Sequence, residues 1–418
     1  MNKTNIPKLR FKEFSGEWEE KNYGDIYSFY STNSLSRDKL NYKDGEVYNI
    51  HYGDIHTKFS TMFKLENEYV PFINNEIDLS KIKEENYCQI GDLVIADASE
   101  DYEDIGKTIE IISLNKKRIL AGLHTFLARP NKEYISLGFI AYLLQNYHIK
   151  KQIMKIAQGT KVLSLSTKRL SNVKLNLPQK QEQQKIASFL TTIDKKIEQL
   201  TKKVELQEQY KKSVMGKIFK QEIRFKNDDG SEFEEWEEKK FNTFLKKTNN
   251  IKPTVINREK LLTVKLHLKG IYKNKNTDSL SLGATYYIRK EGQFVYGKQN
   301  IFNGAFGIIP KRFDNFLSSS DIPTLDINCK IINKDFFIFY LSRKSYYKKL
   351  EALASGTGSK RIHENILLNL KITIPKSLKE QTKIANFLSS LDKKIDSTKE
   401  QLAKTKEFKK GLLQNMFV

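Results

Sequence analysis

The sequence predicts an α+β protein of two similar globular halves, each ending in one long helix, with the two helices lying antiparallel as a coiled-coil-like rod. Three observations predict it. Glu182-Gln183-Gln184-Lys185-Ile186-Ala187-Ser188-Phe189-Leu190 recurs as Glu380-Gln381-Thr382-Lys383-Ile384-Ala385-Asn386-Phe387-Leu388. Behind each copy, apolar residues step by four and three: Ile186, Leu190, Ile193, Ile197, Leu200, and again Ile384, Leu388, Leu391, Ile395, then Leu402. Those steps are the seam of a coiled coil. Short β-rich runs punctuated by Gly, Asn and Asp precede both copies.

The duplication reaches beyond the helices. Arg10-Phe11-Lys12 and Trp18-Glu19-Glu20-Lys21 recur as Arg224-Phe225-Lys226 and Trp236-Glu237-Glu238-Lys239. A period of about 200 residues marks a duplicated domain rather than a solenoid. Within the halves, Leu93-Val94-Ile95, the run 108–112, Phe294-Val295-Tyr296 and Gly307-Ile308-Ile309 read as strands. One amphipathic helix follows in each half, over 137–156 and 334–353. Next come the loops Ala157-Gln158-Gly159-Thr160 and Ala354-Ser355-Gly356-Thr357, and a last apolar run ending at Pro178 or Pro375. Proline disfavours helix in the residue before it, so each marks the boundary between strand and rod. The boundaries expected are 1–178 for the first globular domain, 179–222 for its helix, 223–375 for the second domain and 376–418 for its helix. A pseudo-twofold relating the halves would bring Phe417-Val418 beside Leu9-Arg10-Phe11.

Lys and Arg number 72 against 50 Asp and Glu, a net charge of +22. Such a surplus points to a polyanionic partner, nucleic acid before acidic protein; a lysine-rich proteome is the competing explanation. Two cysteines fit a reducing compartment and no disulfide scaffold. Residues 1–10 lack the apolar core of a signal peptide, and no run is long enough to cross a membrane, so a cytoplasmic protein is expected.

No catalytic or metal site is legible. The six histidines show no ligand spacing. Gly106-Lys107-Thr108 ends like a phosphate loop, but Asp101 stands where its first glycine belongs. None of the eight prolines has a proline neighbour, which removes the Asn-Pro-Pro-Tyr type of amino-methyltransferase motif. The acidic run Asp97, Glu100, Asp101, Glu103 and Asp104 reads as a solvated loop. A duplicated chain without a reaction centre reads as a binder.

The repeated Glu-Gln-x-Lys-Ile-Ala-x-Phe-Leu helix, the Gly-Thr loop before each terminal strand, Gly91-Asp92-Leu93-Val94 and Gly292-Gln293-Phe294-Val295 together resemble one known family. It is the DNA-specificity subunit of type I restriction–modification systems. The resemblance implies two target-recognition domains, each reading one half of a bipartite target in double-stranded DNA. It also implies that the helical spacer sets the gap between half-sites and docks two methyltransferase subunits, with ATP-driven restriction subunits joining them. S-adenosylmethionine, ATP and Mg would then sit on those partners and none in this chain, which would be non-catalytic alone.

Base readers must be polar, loop-borne and beside a basic track. Candidates are Tyr52, His56, Lys58, Ser99 and His124 in the first half, and Lys298, Asn300, Arg312, Ser319 and Ser320 in the second. Lys161, Lys168, Arg169, Lys360 and Arg361 follow the Gly-Thr loops in both halves and are candidate phosphate contacts. Rod lysines such as Lys195 and Lys393 either face phosphates or are ordinary solvated positions. The alternative function is a non-catalytic coiled-coil adaptor whose halves bind proteins rather than DNA.

Overall fold

The structure, a computed structural model, describes residues 5–275, 284–356 and 359–418. Thr357 of the second Gly-Thr loop therefore lies outside the described residues. The chain folds as two compact units. Unit 1 is Met1–Thr201 with Glu400–Val418, and unit 2 is Lys202–Lys399. No helix among the described residues is long and apolar enough to cross a membrane.

Unit 1 is built on a five-stranded sheet. Its spatial order is Tyr27–Tyr30, Thr125–Pro130, Leu93–Ala96, Thr108–Ser113 and Met62–Lys64, with only the last pair parallel. The central strand Leu93–Ala96 is buried on both faces, and its period of two divides it between two cores. Leu93 and Ile95 join Phe139, Tyr142 and the long helix; Val94 and Ala96 join Ile50, Phe63 and Ile119. Unit 2 has a four-stranded sheet ordered Leu245–Lys247, Thr324–Ile327, Phe294–Tyr296 and Phe306–Ile308. Its core is unusually aromatic, with Phe241, Phe244, Phe294, Phe336 and Phe337 all fully buried.

The first long helix runs Lys180–Phe219 and the second Leu378–Asn415. Neither contains proline, and each begins soon after the expected one. The first stops cleanly: Gln221 adopts a left-handed φ of 62°. Its N–H donates to Ile218 O (2.9 Å) while Glu222 N–H donates to Lys217 O (2.9 Å), the paired bonds that close a helix C-terminus.

The repeated motif is explained position by position. Glu182 and Glu380 are fully buried, and each receives an arginine from the segment entering its unit. Arg10 donates Nε and Nη2 to Glu182 at 2.8 and 2.7 Å. Arg224 does the same to Glu380 at 3.3 and 3.3 Å, with Trp236 Nε1 adding 3.1 Å. Gln183 accepts from Ser136 N–H (2.9 Å) and donates to Tyr134 O (2.8 Å) and Pro178 O (2.9 Å). Gln381 accepts from Asn333 N–H (2.7 Å) and donates to Ile331 O (3.2 Å) and Pro375 O (2.8 Å). Phe189 packs edge-on against Phe11, and Phe387 against Phe225, both at 5.7 Å.

Antiparallel helix packing is seen in each unit separately. In unit 1, Ile186, Leu190 and Ile193 share a core with Leu412, Met416 and Phe417, and Lys409 pairs with Asp194 at 2.6 Å. Leu9 N–H donates to Asn415 O at 2.8 Å, so the segment near residue 10 does lie beside the end of the second helix. In unit 2, Val214, Ile218 and Phe219 meet Ile384, Ala385 and Leu388, while Glu208 pairs with Lys399 at 2.6 Å and Lys211 with Asp392.

One expectation needs correction and one is extended. The stripe residues Ile186, Leu190, Ile193, Ile384 and Leu388 are buried in cores that hold both the opposite long helix and the globular part of their own unit. Leu200 and Ile395 are also buried, whereas Ile197, Leu391 and Leu402 are only half-buried. The single helices expected over 137–156 and 334–353 are each interrupted. In unit 1, helices Phe139–Leu143 and Tyr147–Ile156 are separated because Asn146 accepts from His148 N–H (2.8 Å), starting a new helix. Its Nδ2 meanwhile donates to Leu413 O at 3.0 Å. In unit 2 helix Lys334–Ser342 stops at Arg343 and a second turn restarts at Lys344.

Glu110, 1% exposed, accepts from Gly138 N–H (2.6 Å) and Ala141 N–H (3.1 Å) and so fixes the start of helix Phe139–Leu143. Burial pushes its carboxyl up to about 7, against the pull of those two donors. Between its ordinary value and 7 the folded state holds a proton that the unfolded chain has lost, so this group withdraws stability as pH rises through that window. Relative to wild type, Glu110→Gln gains stability between about pH 5 and pH 8 in urea unfolding. Leu388→Ala, at a fully buried position, costs about 2–5 kcal/mol. Leu402→Ala, half-buried, costs less than about 1 kcal/mol on the same measurement.

Candidate nucleic-acid interface

In unit 1 the polar cluster is assembled by the six-residue helix Tyr52–Thr57 and the strand Ala98–Ser99. The helix starts where His51 Nδ1 accepts from Gly53 N–H (3.2 Å), which requires that nitrogen to be unprotonated. Burial, then the Arg37 charge, pushes the His51 imidazole down to about 4, so it is neutral at physiological pH. Tyr52 stands edge-on to His124 (5.3 Å) and to His56 (6.1 Å). His56 Nε2 bonds Ala98 O (3.0 Å), and Lys107 donates to His56 O (2.7 Å). His124, at a left-handed φ of 55°, faces the half-buried Asp97 at 3.4 Å. Burial raises the Asp97 carboxyl above its ordinary value, with His124 opposing the shift.

Lys58 ends the helix and pairs with the fully buried Asp54 at 2.8 Å, a carboxylate that also takes both Nη atoms of Arg37 at 2.9 Å. Burial alone would raise Asp54, but its hydrogen bonds to Arg37 and then Lys58 hold it below the usual carboxylate range. Tyr42 accepts from Lys58 (3.1 Å) and stacks on the exposed Tyr69 at 4.4 Å. Ser99 is buried, and its hydroxyl is spent within a turn, donating to Asp101 O (2.9 Å) and accepting from Asp101 N–H (3.0 Å). It shapes the loop and presents no free group.

The Gly-Thr loop lies against this cluster. Leu163 pairs with Ser99, and Leu165 N–H donates to Asp97 O at 2.8 Å. Gly159 turns the loop at φ 120°, where a Cβ would meet Val162 O at 2.0 Å, so only glycine fits. Lys161, just after it, and Lys168 and Arg169, on the short helix Thr167–Leu170, are exposed, and Arg169 donates to Ile156 O (3.2 Å).

Unit 2 repeats the loop with different surroundings. Gly356 turns at φ 125° against Ser359 O, and Ser355 and Arg361 form the same kind of bridge as Gln158 and Ser164. Ile362 N–H donates to Lys298 O (2.9 Å), and Lys298 N–H to Asp321 O (2.9 Å), which draws the loop to the strand end carrying Ser319 and Ser320. Lys298 is mostly buried and pairs with Glu364 at 3.3 Å; Arg361 faces Asp321 at 3.6 Å; Lys360 faces Glu351 at 3.4 Å. Asn300 accepts from Ala305 N–H through its carbonyl (3.0 Å), shaping the turn Ile301–Asn303. Arg312 stands apart from these residues. It lies over Phe313 and lines a hollow with Leu268, Gly270 and Ile338.

Sequence reasoning therefore brings together Tyr52, His56, Lys58 and His124 in unit 1, and Lys298, Ser319, Ser320 and Arg361 in unit 2. It missed Arg37, Asp54, Asp321 and Glu364, which orient those side chains. It also missed Arg289, 1% exposed, which holds the loop beneath Ser319 and Ser320 by donating to Ser318 Oγ (2.7 Å), Thr324 Oγ1 (3.0 Å), Asn250 Oδ1 (2.8 Å) and Ile322 O (3.2 Å). An arginine inside a β-run was the one available signal. Among the described residues no group of three or more His, Cys, Asp or Glu is arranged to hold a metal ion.

Comparison with known proteins bears on what such surfaces do. The family model for the type I restriction modification DNA specificity domain matches residues 15–208 and again 231–407. A putative type I restriction enzyme MjaX specificity subunit from Methanocaldococcus jannaschii is 26% identical over 96% of this chain and 94% of its own length. The MjaVIII specificity subunit of the same organism is 28% identical over 71% of this chain and 73% of its own. In fold, the chain is similar to the S subunit of a type I restriction–modification system from M. genitalium, with a TM-score of 0.59 at 14% identity over 99% of both chains. The motif that fastens each long helix to its unit thus falls inside a family match made twice over. The chain belongs to the type I restriction–modification DNA specificity family, as the non-catalytic subunit that recognises DNA sequence.

Proposed function

We propose that each globular domain reads one half of a bipartite target in double-stranded DNA, and that the two long helices set the gap between the half-sites and dock two methyltransferase subunits. The observation that carries this reading is that one set of buried contacts occurs in both units while the polar faces above it differ. A common core serves the same attachment; unlike faces serve unlike half-sites. Residues 1–178 and 223–375 are assigned as reading domains, and 179–222 and 376–418 as spacer.

In unit 1, Tyr52 and His124 offer donors and acceptors to base edges, with His56 held behind them by its bond to Ala98 O, and Lys58, Lys161, Lys168 and Arg169 offer charge to phosphates. In unit 2 the corresponding roles fall to Ser319, Ser320 and Asn300 at base edges, and to Lys360 and Arg361 at phosphates. Ile186, Leu190, Ile193, Ile197, Leu200, Ile384, Leu388, Leu391, Ile395 and Leu402 hold the spacer that partner subunits grip. S-adenosylmethionine belongs to the methyltransferase subunits, and ATP and Mg to the restriction subunits, in the cytoplasm.

Mapping methylated adenines in a host that carries the partner subunits tests the reading. A motif of two parts with a fixed gap is expected; a single contiguous motif rejects it. Tyr52→Ala combined with His124→Ala should degrade one part of the motif and leave the other intact, and damage to both parts would show that the domains do not read independently. For the assembled complex, log Kobs should fall linearly with log salt, steepening by about 0.9 for each phosphate contacted. An adaptor that binds only proteins would show no such dependence on DNA.

A further inference from the structure

We propose that a β-hairpin of unit 2, formed by strands Leu262–Lys265 and Gly270–Lys273, is a duplex-DNA contact that lays its turn and outer face against phosphates at the major groove. The proposal rests on the DNA-reading assignment above and names an element outside the residues discussed there.

Charge is the first argument. Over residues 258–275, Arg258, Lys260, Lys265, Lys269, Lys273 and Lys275 stand against Glu259 alone, whereas the whole chain has 72 cations to 50 acids. General lysine enrichment does not produce so local an imbalance. Among the described residues only Lys273 has a carboxylate partner, Glu259. The others have no carboxylate partner among the described residues, and Lys265 and Lys269 are exposed, so a polyanion that pairs with them would release its counterions.

Geometry is the second. The strands pair antiparallel, with Thr263 opposite Tyr272 and Val264 opposite Ile271. Leu262 and Ile271 pack inward with Val295 and Ile309. The other face presents Thr263, Lys265 and Tyr272, with Lys265 Nζ 4.2 Å from the centre of the exposed Tyr272 ring. A two-stranded ribbon of this kind fits a major groove about 12 Å wide.

The turn is the third. His267 and Leu268 sit at φ 59° and 58°, left-handed positions that hairpins ordinarily give to Asn-Gly. A bulky pair persists there because the surroundings impose it: His267 N–H donates to Asn303 O (2.8 Å) and Leu268 N–H to Gly304 O (3.0 Å). Gly304, at a left-handed φ of 75°, fits closely beneath the turn, where a Cβ would come within 3.1 Å of Leu268 N. With its amides held from behind, the turn is fixed in position and shows the side chains of His267 and Lys269 to solvent. Strain kept at an exposed tip is characteristic of a surface that works by contact.

Lys265→Ala combined with Lys269→Ala tests this in the full chain assembled with its modification subunits. Binding is measured across a salt series on a duplex carrying the mapped target and on a scrambled duplex. Loss of two phosphate contacts should make the salt dependence shallower by about 1.8 in log Kobs per log salt on both duplexes. Lys265→Arg with Lys269→Arg should restore it. An unchanged slope overturns the proposal, as does an arginine variant as weak as the alanine one. Loss of the modification subunits from the complex, with thermal stability intact, overturns it in favour of an acidic protein partner. A wild-type complex with no preference for its own target would instead overturn the DNA-reading assignment, and the hairpin contact with it.

Discussion

A carboxylate with no access to water, received by an arginine at the mouth of each unit, is the contact on which the remaining structure depends. Glu182 and Glu380 lie in the first turn of their helices, where the backbone dipole already favours negative charge. Burying either one without a cation would be costly, so each helix can seat only when Arg10 or Arg224 arrives with its segment. That arginine also binds the carbonyls of the turn behind it, Ser15 and Gly16 in unit 1 and Phe233 and Glu234 in unit 2. Helix start and entering segment are thereby fixed together, and in unit 2 Trp236 is fixed with them. The neighbouring glutamine then ties the same turn to the loop before the next helix.

This arrangement accounts for what the sequence made legible. Residues that act within a few turns of helix, such as Ile186, Leu190 and Phe189, declare themselves by spacing alone. Their partners Phe11 and Arg10 declare themselves because the duplication repeats them. What spacing does not reveal is which surface a stripe meets. Leu190 and Leu388 read as a helix–helix seam, and the cores they join hold residues of the globular parts of their own units as well. The interruption at Asn146 was hidden for a related reason. Apolar periodicity continues through it, and only a side-chain cap, visible once Leu413 is alongside, shows that one helix has become two.

The reading surfaces were legible in outline and not in detail. Histidine and tyrosine near short loops gave Tyr52, His56 and His124, which do converge. Ser99 and Lys298 have the same chemistry on paper but are occupied, one by its own turn and the other by Glu364. The orienting acids Asp54 and Asp321 carry no local signature, because their roles depend on cations distant in sequence. The basic hairpin was overlooked since its leucines and valine resemble an ordinary strand pair, and its left-handed turn lacks the Asn-Gly that normally signals one.

One feature of the connectivity bears on how the molecule is made. Unit 2 is encoded by an unbroken interval, Lys202–Lys399, whereas unit 1 needs Leu412, Met416 and Phe417 to fill the space beside Trp18 and Phe139. During synthesis the earlier-encoded unit must therefore wait, with an apolar cleft uncovered, while the later-encoded one already holds every residue of its core. The core of unit 1 is complete only once residues 412–417 have been made, after the whole of unit 2.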